Sequence, residues 1–409
     1  MKALSLLAAL LGIVFAAAAR DDRQEFKSLV EKSFHVSSLT DSGSPPFHLK
    51  LHAGDPHNEH PEFTTDIELW WAAPDKWRRQ ITSPIFSQTA VQNGQHYSES
   101  NSSDYFPWWL HELITDPLNP LPIEELKDEL KNAPIELRGS PTRRCAEWQS
   151  EFAQGSDRIG IHNSVCFNAD ATVQEAFTRT SSAHFGAYRT FGSKRVPGFL
   201  ELSAKSAEGR YVDLVGRLSL LEPLQEDAIL FVVKDDTGLA ARARFVSVPE
   251  SALKDYKLHA PPLQWPPVHN FPATGLMTIN LKIDRNGNIR EIDSAISRNV
   301  VLQEPAVEQV KNWKFKPFLV DGSPVQVNVD ISIRFEAKTE LLGSNGASLP
   351  VIPFFERIKK SQELSELHLD GNKPFHLHAT VQYADHATGS YDELWQSPSS
   401  GGVKRYLEA

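Results

Sequence analysis

No part of this chain carries the dense basic surface that phosphate recognition needs. Lysine and arginine total 42 against 52 acidic residues, a net charge of -10 at pH 7. Lys76-Trp77-Arg78-Arg79 and Arg143-Arg144 come nearest to a basic cluster, and each is short and flanked by acids. A nucleic-acid partner is therefore excluded. The common catalytic words are missing as well: there is no Gly-x-Ser-x-Gly, no phosphate-binding glycine loop and no Gly-x-Gly-x-x-Gly. Ser251-Ala252-Leu253-Lys254 fits Ser-x-x-Lys but has no companion motif. His57-Asn58-Glu59-His60 holds donors for a metal, yet it lies between Pro56 and Pro61 without a helical scaffold and reads as a solvated loop. Asp284-Arg285-Asn286-Gly287 has the start of a calcium loop but no distant bidentate glutamate, and a hairpin turn explains it. No enzymatic activity is expected. No catalytic residue, cofactor or metal ligand is assigned.

Long apolar runs are missing except at the N-terminus. Lys2, the apolar stretch Leu4 to Phe15, and the small residues Ala17-Ala18-Ala19 read as a secretory signal over residues 1–19. No cysteine follows the alanine run, so a lipid-modified N-terminus is not indicated. The alternative is an uncleaved membrane anchor, for which the run is short.

Cysteine is scarce, at two residues, Cys145 and Cys166. Strand-like runs at Cys145–Phe152 and Arg158–Phe167 flank the turn signal Gly155-Ser156-Asp157. The midpoint of the cysteine pair falls between Gly155 and Ser156, where a hairpin would oppose the two residues directly. Opposed residues at a non-hydrogen-bonded site are close enough to bridge. A Cys145–Cys166 disulfide is predicted, which fits an oxidising compartment. Two unrelated buried thiols are the alternative.

What the chain does have is a strand-rich pattern with a partial internal repeat. Pro46-Phe47-His48-Leu49 recurs as Pro374-Phe375-His376-Leu377, and Glu68-Leu69-Trp70 recurs as Glu393-Leu394-Trp395. In the first copy, Phe47, Leu49 and Leu51 alternate with polar residues, as do Ile67, Leu69 and Trp71, then Trp77, Arg79 and Ile81. Further strands are expected near Thr89–Val91, His96–Glu99, Ile135–Arg138, Phe199–Ala204, Tyr211–Leu221 and Ala228–Val233. A helical insertion, Trp108 to Lys131, is broken by prolines. Residues 25–235 are therefore expected to form an antiparallel open β-barrel with a helical insertion. Residues 250–272, with Pro261-Pro262 and Pro266-Pro267, read as a Pro-rich extended linker. Residues 354–409 read as a truncated repeat of the first domain's start, with a helix over Phe354–Leu367. The fold class is α+β.

Residues 273–338 form a separate small ββαβ domain by pattern. Ile279, Leu281 and Ile283 alternate with Thr278, Asn280 and Lys282 as a half-buried strand. Asn286-Gly287 marks a hairpin, Gln303 to Trp313 is helical, and Val325 to Phe335 alternates strictly as a long strand. With Gly275-Leu276-Met277-Thr278-Ile279, Asp284-Arg285-Asn286-Gly287, Trp313-Lys314-Phe315-Lys316-Pro317 and the Asp321-Gly322 turn, residues 262–336 resemble the C-terminal domain of the TonB family. The resemblance implies a periplasmic setting and contact with outer-membrane TonB-dependent receptors by strand addition. The strand Val325, Gln326, Val327, Asn328, Val329, Asp330, Ile331 is the candidate partner strand, its exposed face carrying Gln326, Asn328, Asp330 and Arg334. A second resemblance lies in Pro46-Phe47-His48-Leu49, Glu68 to Arg78 and Phe199-Leu200-Glu201-Leu202. It is to the half-barrels of periplasmic lipoprotein carriers and their sensor relatives (LolA/RseB-like). It implies an apolar pocket for a lipid or acyl ligand, with Trp70, Trp71, Trp77, Trp108 and Trp109 as its candidate lining; each of these also reads as an ordinary core aromatic. The expected function is a periplasmic TonB-family-like binding and interaction module that links this pocket to outer-membrane partners. The alternatives are a true energy transducer for TonB-dependent transport, anchored in the inner membrane and facing the periplasm, and a lipid or lipoprotein carrier or sensor.

Overall fold

The computed structural model describes residues 22–339 apart from 42, 122–125, 127–130, 132, 155–156, 179–181, 206–210, 226–228 and 269–271. Of the C-terminal segment it describes 375–382, 388–395 and 405–408. The signal segment 1–19, the turn at Gly155-Ser156 and the helix expected at Phe354–Leu367 lie outside the described residues. The chain divides into two compact units, one ending at Lys338 and one starting at Thr339.

The first unit is built on a 12-stranded antiparallel sheet that does not close. One half runs through β1 (Phe47–Gly54), β2 (Thr65–Ala73), β3 (Lys76–Thr82), β4 (Ser87–Asn93) and β5 (His96–Asn101). The other half contains β6 (Glu136–Ser140), β7 (Arg143–Gln154), β8 (Asp157–Asn168), β9 (Val173–Phe177) and β10 (Ser182–Gly186). A small hairpin of β11 (Arg189–Phe191) and β12 (Lys194–Val196) follows, then β13 (Phe199–Lys205) and β14 (Tyr211–Pro223). Strand β14 pairs with β1 and joins the halves. The period-2 pattern decides which face is inner: Phe47, Leu49, Leu51 and Ala53 are buried while His48, Lys50 and His52 point away. The register places Phe47 opposite Trp71 and Leu49 opposite Leu69, so apolar side chains meet across strands on one face. Helix α1 (residues 22–37) and helix α2 (Trp108–Leu118) cover that face. Phe26 of α1 packs against the rings of Trp148 and Phe167, and Leu110, Leu113 and Ile114 of α2 join the same core. The edge at β5 is covered by the chain after β14: Asp236 accepts from the Tyr97 N–H, and the Thr237 N–H donates to the Tyr97 carbonyl.

Strands β7 and β8 form the expected hairpin, with Cys145 opposite Cys166 and a disulfide between them. The bridge closes 21 residues of chain. A loop of that size predicts a loss of about 3 kcal/mol on Cys145→Ser/Cys166→Ser substitution. Urea unfolding with and without reductant measures it, and equal midpoints would show that the bridge adds nothing.

Two expectations about the chain between the two domains need correction. Residues 229–231 form a turn and 232–233 take no regular structure, not the strand expected at Ala228–Val233; Phe231 packs at the β3–β4 end, under Lys76 and with its carbonyl accepting from the Asn93 amide. The segment 250–272 is extended in part but is not a free linker. It and the chain just before it supply β15 (Phe245–Ser247), a 3-10 turn at Glu250–Asp255 and β16 (Lys257–His259). Leu253 and Val268 of this segment are buried in the core of the following domain.

That domain runs β17 (Thr274–Ile283), β18 (Ile289–Ser297), helix α3 (Gln303–Val310), β19 (Lys314–Phe315), β20 (Phe318–Val320) and β21 (Ser323–Glu336). Its sheet has the order β15-β21-β17-β18. Met277, Ile279, Leu281 and Ile283 meet Val325, Val327, Val329 and Ile331 on the face that packs against Ala306, Val310 and Trp313. The opposite face was expected to be solvated, and it is not. Thr278, Asn280, Lys282, Gln326, Asn328 and Asp330 are all buried. The reason is tertiary: this polar face packs on the first sheet and on the chain around α2.

The second unit's described strands, β22 (Phe375–Gln382), β23 (Thr388–Trp395) and β24 (Arg405–Glu408), pair in sequence order. Its register differs from that of β1 and β2. Phe47 faces Trp71, whereas Phe375 faces Trp395, the counterpart of Trp70.

Candidate functional site

The outer edge of β21 is the first candidate surface. Strand β17 takes one side of β21 from Val327 to Glu336. On the other side β15 lies parallel, with Phe245, Val246 and Ser247 beside Gln326, Val327 and Asn328. The Gln326 N–H donates to the Arg244 carbonyl at 2.9 Å and the Val248 N–H to the Asn328 carbonyl at 3.0 Å. Farther along, the Ser332 N–H donates to the Glu250 carboxylate at 3.0 Å. The edge expected to await a partner is thus covered in cis by three residues of strand and one side chain. A buried row of unpaired backbone groups is costly, and the chain answers it locally.

The polar face of β17 and β21 makes a seam with the first sheet. Gln326 clamps the backbone of Phe106, accepting from its N–H and donating to its carbonyl, both at 2.9 Å. Lys282 sits at the centre with 3% of its side chain exposed. Its ammonium is 2.8 Å from Asp293, donates to Asn328 Oδ1 at 3.0 Å and lies 4.4 Å from the Trp108 ring. Glu291 accepts from the Tyr105 hydroxyl at 2.6 Å and from the Trp108 N–H at 3.2 Å. Burial holds the carboxyl groups of Glu112 and Glu291 above the usual range, with neighbouring carboxylates adding to the effect and Lys282 opposing it. The Tyr211 hydroxyl also donates to the Asp293 carbonyl.

The second candidate is a cavity of about 760 Å³ between the inner face of the first sheet, α2 and the strap 239–246. Leu69, Trp71, Trp77, Ile114 and Leu118 make its apolar wall. Arg79, Gln92 and Arg242 bring polar groups into it. His111 stacks on Phe245 at 3.9 Å, and burial, then the charges of Arg79 and Lys282, push its pKa down to about 3. It is neutral at any physiological pH.

The five tryptophans do not line one pocket. Trp71 and Trp77 line this cavity. Trp109 lines a separate cavity of about 860 Å³ along the seam and packs edge-on against Phe63. Trp108 covers Lys282, and Trp70 lies on the outer face, stacked on His48 at 5.0 Å. The alternation itself puts Trp70 out of phase with Leu69 and Trp71. The same logic was available for Arg79, which is in phase with Trp77 and Ile81 and so sits on an apolar face. Nothing in the alternation distinguished Lys282 or Gln326 from solvent-facing residues. The loop around His57 is organised by Asp55, whose carboxylate accepts from the backbone N–H groups of His57, Glu59 and His60. Among the described residues a grouping with metal-like spacing is Cys145, Cys166 and Glu175, but both sulfurs are committed to the disulfide.

The element order, the Asp284–Asn288 turn and the long last strand meet in one comparison. Residues 273–337 match the family model of the Gram-negative bacterial TonB protein C-terminal domain. The match covers less than a fifth of the chain. No curated protein matches the sequence. Among solved structures, a LolA superfamily protein from Nitrosomonas europaea aligns at 8% identity and a TM-score of 0.28. That alignment covers 50% of this chain and 96% of that one, and it is too slight to carry an argument. The TonB C-terminal module is thus packed on a large open sheet, with its outer strand edge covered in cis. No helix among the described residues is long and apolar enough to cross a membrane.

Proposed function

We propose that this chain is an exported, non-catalytic protein of the bacterial periplasm in which the TonB C-terminal module binds an outer-membrane partner by strand addition, while the open sheet holds an apolar ligand. The observation that supports the first half is that the outer edge of β21 already accepts a parallel strand, β15, at Gln326–Asn328. Strand addition works through main-chain hydrogen bonds, each with a net value of about 0.5–1.5 kcal/mol. A three-residue cis strand makes few of them, so a longer extended segment from a receptor can displace it and continue along Val329 to Phe335. Energy transduction for outer-membrane transport is the alternative, and it requires that residues 1–19 stay attached as an anchor. Intact-mass measurement of the mature protein separates the two, since a chain beginning near Arg20 has no link to the inner membrane.

Weakening the cis strand tests the edge directly. Val246→Pro removes a backbone donor from β15 and should raise crosslinking between a photoreactive residue at Ser332 and outer-membrane proteins by about tenfold. Unchanged and negligible crosslinking in both proteins would remove β21 as the contact surface. The cavity beside Trp71 and Trp77 supports the second half, and a lipid or lipoprotein carrier or sensor is the reading that remains if the edge binds nothing.

A further inference from the structure

The apolar cavity contains two guanidinium groups, an unusual wall for a site that would take a neutral hydrocarbon. Arg79 and Arg242 lie on opposite elements, β3 and the strap, and both reach the Trp77 ring, at 5.6 and 5.3 Å. Their hydrogen bonds go to amides. Arg79 Nε donates to Gln88 Oε1 at 2.8 Å, and Arg242 donates to Gln92 Oε1 at 3.1 Å. The carboxamide of Gln92 also accepts from the Trp77 indole N–H at 3.1 Å. Among the described residues no ion pair is recorded for either arginine, whereas Arg244, next on the strap, is paired with Asp321 at 3.2 Å. Burial and the charge of Arg242 both lower the pKa of Arg79, to about 10, against the partial support of Tyr97 and Glu99. Arg79 and Arg242 line this one cavity, and their guanidinium donors form half of a charge-assisted hydrogen-bond set whose other half is an anion.

We infer that the cavity binds a single-chain anionic amphiphile, its carboxylate or phosphate head held between Arg79 and Arg242 and its acyl tail against Leu69, Trp71, Ile114 and Leu118. The inference rests on the ligand-binding reading above and adds the charge of the ligand to it. The volume of about 760 Å³ suits one chain with its head. Aromatic–cation contacts on Trp77 hold both guanidinium planes in place before the ligand arrives, which reduces the ordering cost of binding.

The test uses delipidated full-length mature protein and follows tryptophan fluorescence, with native mass spectrometry for stoichiometry. Dodecanoate and dodecyl phosphate should bind one to one, and methyl dodecanoate at least about tenfold more weakly, the value of a charge-assisted hydrogen bond. Inorganic phosphate alone should not bind measurably, because it brings no tail; if it binds as tightly as dodecyl phosphate, the site is a plain anion site and the amphiphile proposal is overturned. Arg242→Gln, on an exposed strap residue that leaves the core intact, should cut the preference for acid over ester, and Arg79→Gln/Arg242→Gln should abolish it. Equal binding of acid and ester by the unaltered protein overturns the anionic head and leaves the apolar pocket standing. No binding of any of the alkyl probes overturns both.

Discussion

Lys282→Met should destabilise the first unit by about 1–3 kcal/mol at pH 7, the cost of removing a charged hydrogen-bond donor from the part-exposed Asp293 carboxylate and the buried Asn328 amide. Methionine keeps the length and the apolar stem, so packing against Trp108 is largely retained and the loss is electrostatic. What remains is Asp293 at 2.8 Å from the vacated ammonium position, with Glu291 and Glu112 close enough to feel its charge. The pH dependence carries a definite sign. Glu112 and Glu291 bind protons more tightly in the folded chain than their ordinary value of 4.5. Their contribution to stability is therefore fully present below about pH 4.5 and is lost as pH rises through the elevated folded values. The deficit of Lys282→Met should shrink as pH falls and Glu112 and Glu291 take up protons, because fewer carboxylate charges then surround the vacated position. Glu112→Gln should do the reverse of harm, stabilising at neutral pH and flattening the pH profile. Urea unfolding at several pH values between 5 and 8 reads all three effects. A Lys282→Met protein within about 1 kcal/mol of the original at pH 7, with the same pH profile, would falsify this account of the seam.

Gly287→Ala should cost about 3–5 kcal/mol, and the comparison with Gly322→Ala isolates why. Both glycines have left-handed backbone, with φ of 83° and 77°. A side chain in that conformation costs about 1–2 kcal/mol by itself. The surroundings differ. A Cβ at Gly287 would lie 2.0 Å from the Phe315 carbonyl oxygen and 2.6 Å from its carbon, whereas a Cβ at Gly322 meets nothing within 4 Å. The contact is backbone on backbone and cannot yield by a rotamer change. It is also tied: the Phe315 N–H donates to the Gly287 carbonyl at 2.9 Å, and Lys314 Nζ donates to Asn288 Oδ1 at 2.8 Å. Opening it separates the β17–β18 turn from the chain leaving α3. Gly322→Ala should therefore cost only the conformational part. If the two variants unfold at the same denaturant concentration, the close approach to Phe315 is not what makes Gly287 necessary.

These two sites also show why parts of the structure were legible early and others were not. The Asp284–Asn288 turn is local. Asp284 accepts from the backbone N–H groups of Asn286 and Asn288, and both partners are within four residues. A pattern of that range is written into adjacent residues. The cysteine hairpin is of the same kind, since opposition across a short turn depends only on spacing. Lys282 is different. Its alternation with Leu281 and Ile283 is what a strand with one wet face shows, and the sequence around it does not mention Trp108 or Asp293. The same holds for Gln326, which meets Phe106 across 220 positions of chain.

The sequence by itself determined the periods, the turns and the pairing of the cysteines. From those follow many strands of the open sheet, though not β9 and β10, the TonB C-terminal module at residues 273–337, and the apolar face of strands such as β1 and β2. Tertiary structure alone decided what the polar faces and edges do. It buried the face of β21 that carries Gln326, Asn328 and Asp330, laid β15 along its edge, and brought Arg79 opposite Arg242. The physical reason is that hydrophobic periodicity records whether a position is half-buried in its own element, while a polar residue pairs with whatever the packed chain sets against it.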